Sequence, residues 1–209
     1  MAKISEWVRR YYRQFPKNGF ILDLAGGTGR HARFLSQKGF KLLLVDNQIA
    51  KAKDLQNVEC IKLVEYDLEA GNSIPFPASS FQGIVVTNYL YRPIFPQLLC
   101  LLDVGGILIY ETFAAGHEKY GRPTNPDYLL KSGELINLVS PEMRVIAYEE
   151  RLITRPTRAY VQRIVAEKNS ENLFATEFWR SFFHESCYTF SMVRCHHTVC
   201  HSFGFHLKL

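Results

Sequence analysis

Three aspartates stand at or just after the ends of three apolar runs near the start of the chain: Asp23, Asp46 and Asp67. Apolar runs of this length are typical of buried β-strands. In open α/β sheets a ligand binds beyond the carboxyl ends of the parallel strands, so we expect the three carboxylates to face one crevice. Carboxylates there can accept hydrogen bonds from hydroxyl or amino groups, or attract a positive charge.

A glycine-rich turn follows the first of these runs, with the sequence LAGGTGRH from residue 24 to residue 31. A strand, a tight turn and a helix are predicted here, and in α/β proteins such a turn lets a nucleotide approach the backbone. The spacing of Gly27, Gly29 and Ala32 also fits the dinucleotide pattern G-x-G-x-x-A, which is weak evidence by itself. The turn alone therefore leaves the ligand open.

The carboxylate before the turn argues against a ligand that places phosphates on it. A pyrophosphate at the helix N-terminus would be repelled by Asp23. The turn also lacks the Gly-Lys-Ser/Thr ending of a triphosphate-binding loop. A nucleoside cofactor that carries positive charge and no phosphate fits better, and an NAD-dependent oxidoreductase is the less favoured alternative.

The elements that would position these residues alternate along the chain. Apolar runs predict strands at 20–24, 41–45, 59–66, 81–87 and 107–111. Helices are predicted at 4–15, about 30–38, 48–55 and 95–102, and a turn at 103–106. After a long polar segment and a short helix at 133–139, two runs at 145–153 and 159–166 should form an antiparallel pair. We predict an α/β, Rossmann-like doubly wound sheet of seven strands, mixed because the last strands are antiparallel, with helices on both faces.

Five motifs, in order, resemble those of class I S-adenosylmethionine-dependent methyltransferases: LDLAGGTGR at 22–30, LLLVD at 42–46, YDLE at 66–69, PFPASSFQGIVV at 75–86 and GGILIYETF at 105–113. The resemblance spans residues 1–168, which we interpret as one methyltransferase domain, and it implies S-adenosylmethionine as cofactor. The stretches 88–93 and 111–130 resemble small bacterial methyltransferases, including distant relatives of the tellurite-resistance methyltransferases.

The resemblance implies roles for the matched residues. Asp23 and the backbone of Ala25 to Gly29 would border the methionine moiety, and Asp46 would accept hydrogen bonds from both ribose hydroxyls. Asp67 would face the adenine amino group with Leu68 beside the ring, and Asn88 and Tyr89 would line the methyl-transfer side. The implied cofactor-binding residues are Asp23, Ala25, Gly26, Gly27, Gly29, Asp46, Asn47, Asp67, Leu68, Asn88 and Tyr89. The family usually has glycine where this chain has Ala25, and alanine adopts fewer backbone conformations.

The acceptor side of the site is expected on the Gly- and Pro-rich segment 112–133, because long irregular segments in compact domains are usually functional. Methyl transfer is an in-line displacement that depends on alignment, and a base is needed only for a protonated acceptor. The predicted catalytic residues are His117, as a hypothetical base, Tyr120 and Asn88. Further acceptor-site candidates are Tyr91, Arg92, Arg122, Asn125 and Asp127.

A small-molecule acceptor is the favoured prediction. The sequence NYLY at 88–91 differs from the Asn-Pro-Pro-Tyr type found in adenine-N6 nucleic-acid methyltransferases. Basic residues in the first segment, within a formal net charge of +5, keep a nucleic-acid substrate possible, although a solvated helix face explains them more simply. The alternatives are an RNA methyltransferase and a nucleoside-binding module without catalysis.

The composition and the first residues of the chain favour a cytoplasmic protein. The sequence is 47% hydrophobic, has no apolar run long enough to span a membrane and begins without an apolar signal core, so we expect a cytoplasmic protein without a membrane partner. It carries no signal for an oligomeric state. Residues 169–209 differ in character and form a C-terminal extension of unclear role; Cys195, Cys200 and the adjacent histidines match no common zinc-site spacing, so no metal is predicted.

Overall fold

The computed structural model describes residues 3–71, 73–155 and 157–169. Its strands are β1 (Phe20–Leu24), β2 (Lys41–Asp46), β3 (Ile61–Glu65), β4 (Phe81–Thr87), β5 (Leu102–Phe113), β6 (Met143–Ile153) and β7 (Ala159–Lys168). Its α-helices are α1 (Glu6–Tyr11), α2 (Arg30–Ser36), α3 (Phe95–Leu101) and α4 (Glu134–Val139). Short 3₁₀ helices lie at Tyr12–Gln14, Ile49–Leu55, Arg92–Ile94, His117–Lys119 and Pro126–Tyr128. The predicted C-terminal extension, apart from its first residue, lies outside the described residues.

The strands form one sheet in the order β3-β2-β1-β4-β5-β7-β6. The first five strands in that order run parallel, and β7 pairs antiparallel with both β5 and β6. The predicted seven-stranded mixed sheet is confirmed. From β1 the chain proceeds outward to β2 and β3 and then returns to add β4 on the other side. This reversal of strand order is the point where ligands bind in doubly wound sheets.

Alternate residues of the central strands point to opposite faces of the sheet, as the period of two in a strand requires. Leu22 and Ile84 belong to one hydrophobic cluster, which packs against α3 and α4. Ile21 and Val85 belong to the other, together with residues of α1 and α2. Each central strand is therefore buried on both faces, and the predicted helices lie on both sides of the sheet.

Helix α1 is shorter than the predicted helix at 4–15. Ser5 caps its N-terminus, and the Ser5 hydroxyl accepts hydrogen bonds from the backbone N–H groups of Trp7 and Val8 (3.1 and 3.4 Å). The indole N–H of Trp7 donates to the carbonyl of Ile164 in β7 (3.2 Å), which fixes α1 against the sheet.

The turn predicted at 103–106 is wrong, because β5 already begins at Leu102. Leu102 pairs with Phe81 of β4 and Ile107 pairs with Gly83, so residues 103–106 of β5 stand opposite a single residue of β4. These four residues form an irregularity within the ladder. Gly105, with φ +74°, allows the strand to continue through it. The helix predicted at 48–55 is a 3₁₀ helix with a kink at Ala52. Among the described helices, none has the length and apolar character needed to cross a bilayer.

Candidate functional site

A cleft with about 520 Å³ of empty space opens at the carboxyl ends of β1 to β4. It is lined by Ala25, Asp46, Asn47, Tyr66, Asp67, Leu68, Glu69, Asn88 and Tyr89. All of these except Tyr66 and Glu69 were predicted as cofactor-binding residues from the sequence. The two missed residues flank Asp67 and Leu68 within the motif YDLE. Their position next to two predicted cofactor-binding residues could have identified them from the sequence.

Asp46 is held at the cleft by two backbone hydrogen bonds. One carboxylate oxygen accepts from the N–H of Gly27 (2.8 Å), and the other accepts from the N–H of Gln48 (2.8 Å). Each carboxylate oxygen has a second lone pair that these bonds leave open. The side chain is therefore fixed in direction and can still accept hydrogen bonds from a ligand.

Asp67 is positioned in a similar way at the next strand end. Its carboxylate accepts from the backbone N–H of Glu69 (2.9 Å), so a tight turn follows β3. Leu68 inside that turn is buried and presents an apolar surface to the cleft. The Tyr66 hydroxyl donates to the carbonyl of Ser73 (2.7 Å), which ties the turn to the following loop. A carboxylate next to an apolar wall suits a planar ring that carries an amino group.

The glycine turn lies beneath the cleft. Gly29 has φ +71°, and a Cβ there would lie 2.4 Å from a methyl carbon of Leu55. At Gly26 a Cβ would lie 2.8 Å from Leu44. Both positions therefore need glycine, but neither they nor Gly27 line the cleft. Ala25 does line it and has φ +51°, a backbone conformation that favours glycine.

Asp23, the residue on which the sequence argument against phosphate depended, lies below the turn and does not line the cleft. Its side chain is 1% exposed and accepts a hydrogen bond from the N–H of Ala32 (3.0 Å). Burial raises the pKa of this carboxyl to about 7. Asp23 therefore lies away from the cleft, and its hydrogen bond from Ala32 stabilises the start of α2.

His31 lies beside Asp23 and was not singled out by the sequence, since a lone histidine in a helix has no pattern. Its Nδ1 is 3.9 Å from the Asp23 carboxyl and 3.5 Å from the Thr87 hydroxyl, and its Nε2 accepts from the N–H of Ser5 (3.4 Å). Burial lowers the pKa of His31 to about 3, and the nearby Arg30 guanidinium adds to the effect. The imidazole is therefore neutral, and it connects the start of α1 to the glycine turn.

A second cavity adjoins the cleft, with about 490 Å³ of empty space. It is lined by Glu69, Asn88, Tyr89, Leu90, Thr112, Phe113, Pro123 and Tyr128. Glu69, Asn88 and Tyr89 line both spaces and so mark the boundary between them. Two ligands, one in each space, would meet at these three residues.

The predicted catalytic residues fall in different places. Asn88 lies at the boundary between the two cavities with φ +56°. His117 is buried, its ring stacks on Phe113 (4.1 Å between centroids) and its Nε2 lies 2.9 Å from the carbonyl oxygen of Arg122. Tyr120 is exposed, with the Arg158 guanidinium over its ring. Neither His117 nor Tyr120 lines either of these two cavities, so a catalytic role for them stays a prediction.

Arg92 is an acceptor-site candidate that the structure places behind the second cavity. Its guanidinium donates to both carboxylate oxygens of Glu134 and to the carbonyls of Asp127 and Leu129. These carbonyls flank Tyr128, which lines the cavity. The other candidates on the segment, Arg122, Asn125 and Asp127, do not line it, and neither does Tyr91. Pro123 and Tyr128 were missed because proline carries no functional group and nothing in the local sequence distinguishes Tyr128 from the neighbouring Tyr120.

Comparison with solved structures identifies the architecture. The chain is similar to an S-adenosylmethionine-dependent methyltransferase from Methanosarcina mazei, with a TM-score of 0.60 and 17% identity over 80% of this chain and 99% of that one. The fold is that of the class I S-adenosylmethionine-dependent methyltransferases. TehB from Haemophilus influenzae shares it with a TM-score of 0.64 and 18% identity, over 81% of this chain and 63% of that one.

A third structure with this methyltransferase fold contains ligands. Geranyl diphosphate C-methyltransferase from Streptomyces coelicolor, solved with Mg²⁺, geranyl diphosphate and S-adenosyl-L-homocysteine, has a TM-score of 0.59 and 12% identity, over 78% of this chain and 77% of that one. No protein-family model and no curated protein matches the sequence. Within residues 3–71, 73–155 and 157–169, no three His, Cys, Asp or Glu side chains are grouped to hold a metal ion.

Proposed function

We propose that this chain is an S-adenosylmethionine-dependent methyltransferase that acts on a small-molecule acceptor. The observation that carries the proposal is the pair of adjoining cavities at the carboxyl edge of the sheet. One has the carboxylates and apolar wall suited to a nucleoside, and the other is lined by a different set of side chains. The fold shared with known methyltransferases supports the same conclusion.

The residues of the first cavity fit S-adenosylmethionine. Asp46 keeps a free lone pair on each carboxylate oxygen for the two ribose hydroxyls, and Asp67 beside Leu68 suits the adenine ring and its amino group. The Tyr89 hydroxyl is buried and lies near the Glu69 carboxylate, but no hydrogen bond of normal geometry satisfies it within the described part of the chain, so a polar ligand atom could do so. Asn47 and Ala25 complete the wall.

The bound cofactor supplies a methyl group on a positively charged sulfur, and the chain's own residues have to align an acceptor with that carbon. Asn88 and Tyr89 lie between the two cavities, where the reacting atoms would meet. Thr112 and Phe113 also line the second cavity, where the acceptor would bind. Alignment of this kind supplies most of the acceleration in an in-line displacement.

Transfer of a labelled methyl group from S-adenosylmethionine tests the proposal directly. The purified full chain is expected to label at least one compound in a panel of small amines, phenols, carboxylic acids and oxyanions, and to release S-adenosylhomocysteine in equal amount. Asp46→Asn serves as the inactive comparison. Labelling of RNA in place of every small molecule would overturn the acceptor class, and binding of S-adenosylhomocysteine without transfer to any compound would indicate a binding module.

A further inference from the structure

We propose that the acceptor is a small molecule that carries an amine, held by an acidic and aromatic second cavity. This inference rests on the proposed methyltransferase function and specifies its substrate. It depends on three features of the second cavity: the sign of its charge, the rings in its wall and the lack of any group that would hold an anion.

The charge of the cavity comes from Glu69. Among the described residues that line either cavity, none is lysine, arginine or histidine. The carboxylate of Glu69 forms no ion pair with any described residue, and its proximity helps to raise the pKa of the Tyr89 phenol, for which burial is the larger cause. This acidic lining occurs in a chain whose formal net charge is +5, so it is a local property of the cavity.

Three aromatic side chains line the same cavity as this carboxylate: Tyr89, Phe113 and Tyr128. The faces of aromatic rings attract ammonium groups, and a carboxylate beside them adds to the attraction. Tyr128 is 48% exposed, and the bonds from Arg92 to the carbonyls on either side of it fix its backbone. Leu90 and Pro123 supply apolar surface for the carbon skeleton of the acceptor.

An anionic acceptor would be repelled by the second cavity. A diphosphate, carboxylate or oxyanion in this cavity would face Glu69 and find no positive side chain in the wall. Repulsion of this kind discriminates between ligands as effectively as attraction does. The hydroxyl of Thr112 and the amide of Asn88 can donate hydrogen bonds, but they supply no charge.

The transfer step balances without a further reactant. The bound ammonium first loses a proton to water at the exposed Glu69 carboxylate. The lone pair of the resulting neutral nitrogen then forms the new N–C bond, and the electrons of the broken S–C bond stay on sulfur, which gives S-adenosylhomocysteine. The methylated product of a primary or secondary amine is an ammonium ion, which then loses an N–H proton to water. Water has access to this site because the Glu69 carboxylate is exposed. A tertiary amine yields a quaternary ammonium product without further proton loss. Because only the neutral amine reacts, the rate should rise with pH toward the pKa of the bound amine.

Three probes of similar size test the inference: 2-phenylethylamine, 4-ethylphenol and 3-phenylpropanoate. Each is titrated into the chain saturated with S-adenosylhomocysteine, and each is assayed as acceptor of labelled methyl groups. We expect binding and methylation of the amine, and weaker binding of the phenol and the carboxylate. Glu69→Gln should weaken amine binding up to about fivefold, since one exposed ion pair is lost while the aromatic rings remain. Glu65→Gln, an exposed glutamate that lines neither cavity, is the matched control and should leave it unchanged.

Preferred methylation of the phenol or the carboxylate would overturn the inference while the proposed function stands. So would failure of the amine to bind to chain that still binds S-adenosylhomocysteine. A Glu69→Gln variant with weaker binding of S-adenosylmethionine, but unchanged binding of S-adenosylhomocysteine and of the amine, would assign Glu69 to the sulfonium and also overturn it. Failure of the wild-type chain to bind S-adenosylhomocysteine would instead contradict the proposed function itself.

Discussion

The guanidinium of Arg92 and the carboxylate of Glu134 form a two-bonded ion pair, with Nε–Oε1 and Nη2–Oε2 distances of 2.5 and 2.9 Å. The same guanidinium donates to the carbonyls of Asp127 (2.6 Å) and Leu129 (2.9 Å). The Arg92 hydrogen bond is the largest influence that holds the pKa of Glu134 below its usual range. One side chain after β4 therefore fixes the backbone around Tyr128, which lines the second cavity.

Arg92→Lys should disturb the acceptor site and spare the cofactor site. A lysine ammonium cannot reproduce the planar fork that reaches two carbonyls and a carboxylate together. We expect the KM for the acceptor to rise severalfold, with about 1 kcal/mol lost from the free energy of unfolding. The affinity for S-adenosylhomocysteine should stay within twofold. Steady-state kinetics and calorimetry measure these quantities.

Arg144→Lys is the matched control for Arg92, because Arg144 forms an exposed ion pair with Glu167 on the sheet edge. It should change neither the KM nor the cofactor affinity, since exposed pairs contribute little. An equal rise in KM for both variants would show that Arg92 has no special positioning role.

Asp46→Asn should weaken cofactor binding strongly. The substitution removes the charge that accepts from Gly27 and Gln48 and replaces one acceptor oxygen with a donor. Hydrogen bonds to a charged group contribute about 1.5–3 kcal/mol, so the Kd for S-adenosylhomocysteine should rise roughly ten- to a hundredfold. Asp54→Asn removes an exposed carboxylate that pairs with Arg33 and should leave the Kd unchanged. Equal affinities for both variants and the wild type would remove Asp46 from the site.

Ala25→Gly should stabilise the chain. Ala25 has φ +51°, a conformation that costs an alanine about 1–2 kcal/mol and a glycine almost nothing. Part of this gain is offset by the greater freedom of glycine in the unfolded chain, so we expect a net increase of about 0.5–1 kcal/mol. Ala32→Gly in the interior of α2 should instead lower stability by at least about 1 kcal/mol. Thermal unfolding distinguishes the two, and a lower Tm for Ala25→Gly would show that the turn is not strained.

Asp23 and His31 should have opposite effects on stability as pH changes. The pKa of Asp23 is raised from 3.8 to about 7 on folding, so its contribution is largest below pH 4 and is lost as pH rises toward 7. The pKa of His31 is lowered from 6.5 to about 3, so its contribution is present above pH 6.5 and is lost as pH falls toward 3. Between pH 4 and 6.5 the two slopes oppose each other.

Single substitutions should therefore reveal each slope. With Asp23→Asn, the free energy of unfolding should rise with pH between about 4 and 6.5, because His31 acts alone. With His31→Gln it should fall over the same range, because Asp23 acts alone. Each slope should approach roughly 1 kcal/mol per pH unit, while the wild type stays flatter. Urea unfolding at several pH values measures this, and parallel curves for all three proteins would contradict the opposed titration.

The central strands were predictable because burial on both faces leaves a continuous apolar run. The strands at 20–24 and 81–87 have the predicted bounds, and the antiparallel pair of β6 and β7 follows from two β-like runs joined by a short turn. The start of β5 was not predictable in the same way. Gly105 and Gly106 are typical of a turn, and only pairing with β4 keeps this stretch in the sheet.

The site residues were predictable where their position is set by the local sequence. They were not predictable where their position depends on contacts with residues far away in the sequence. Asp46 and Asp67 line the cleft because residues after parallel strands meet at one edge. Asp23 also follows that rule in sequence, yet α2 covers its side chain. The function of Arg92 depends on Asp127, Leu129 and Glu134, more than thirty residues further along the chain, and no local pattern connects them.

Calorimetric titration of the wild-type chain with S-adenosylhomocysteine and, separately, with NAD shows whether the cleft is a site for S-adenosylmethionine or for a dinucleotide. The proposed site binds a nucleoside through Asp46 and Asp67 and offers no positive side chain for a pyrophosphate. We predict saturable binding of one S-adenosylhomocysteine per chain, lost or strongly weakened in Asp46→Asn, and no measurable binding of NAD. Binding of NAD without binding of S-adenosylhomocysteine would contradict the account and favour an oxidoreductase.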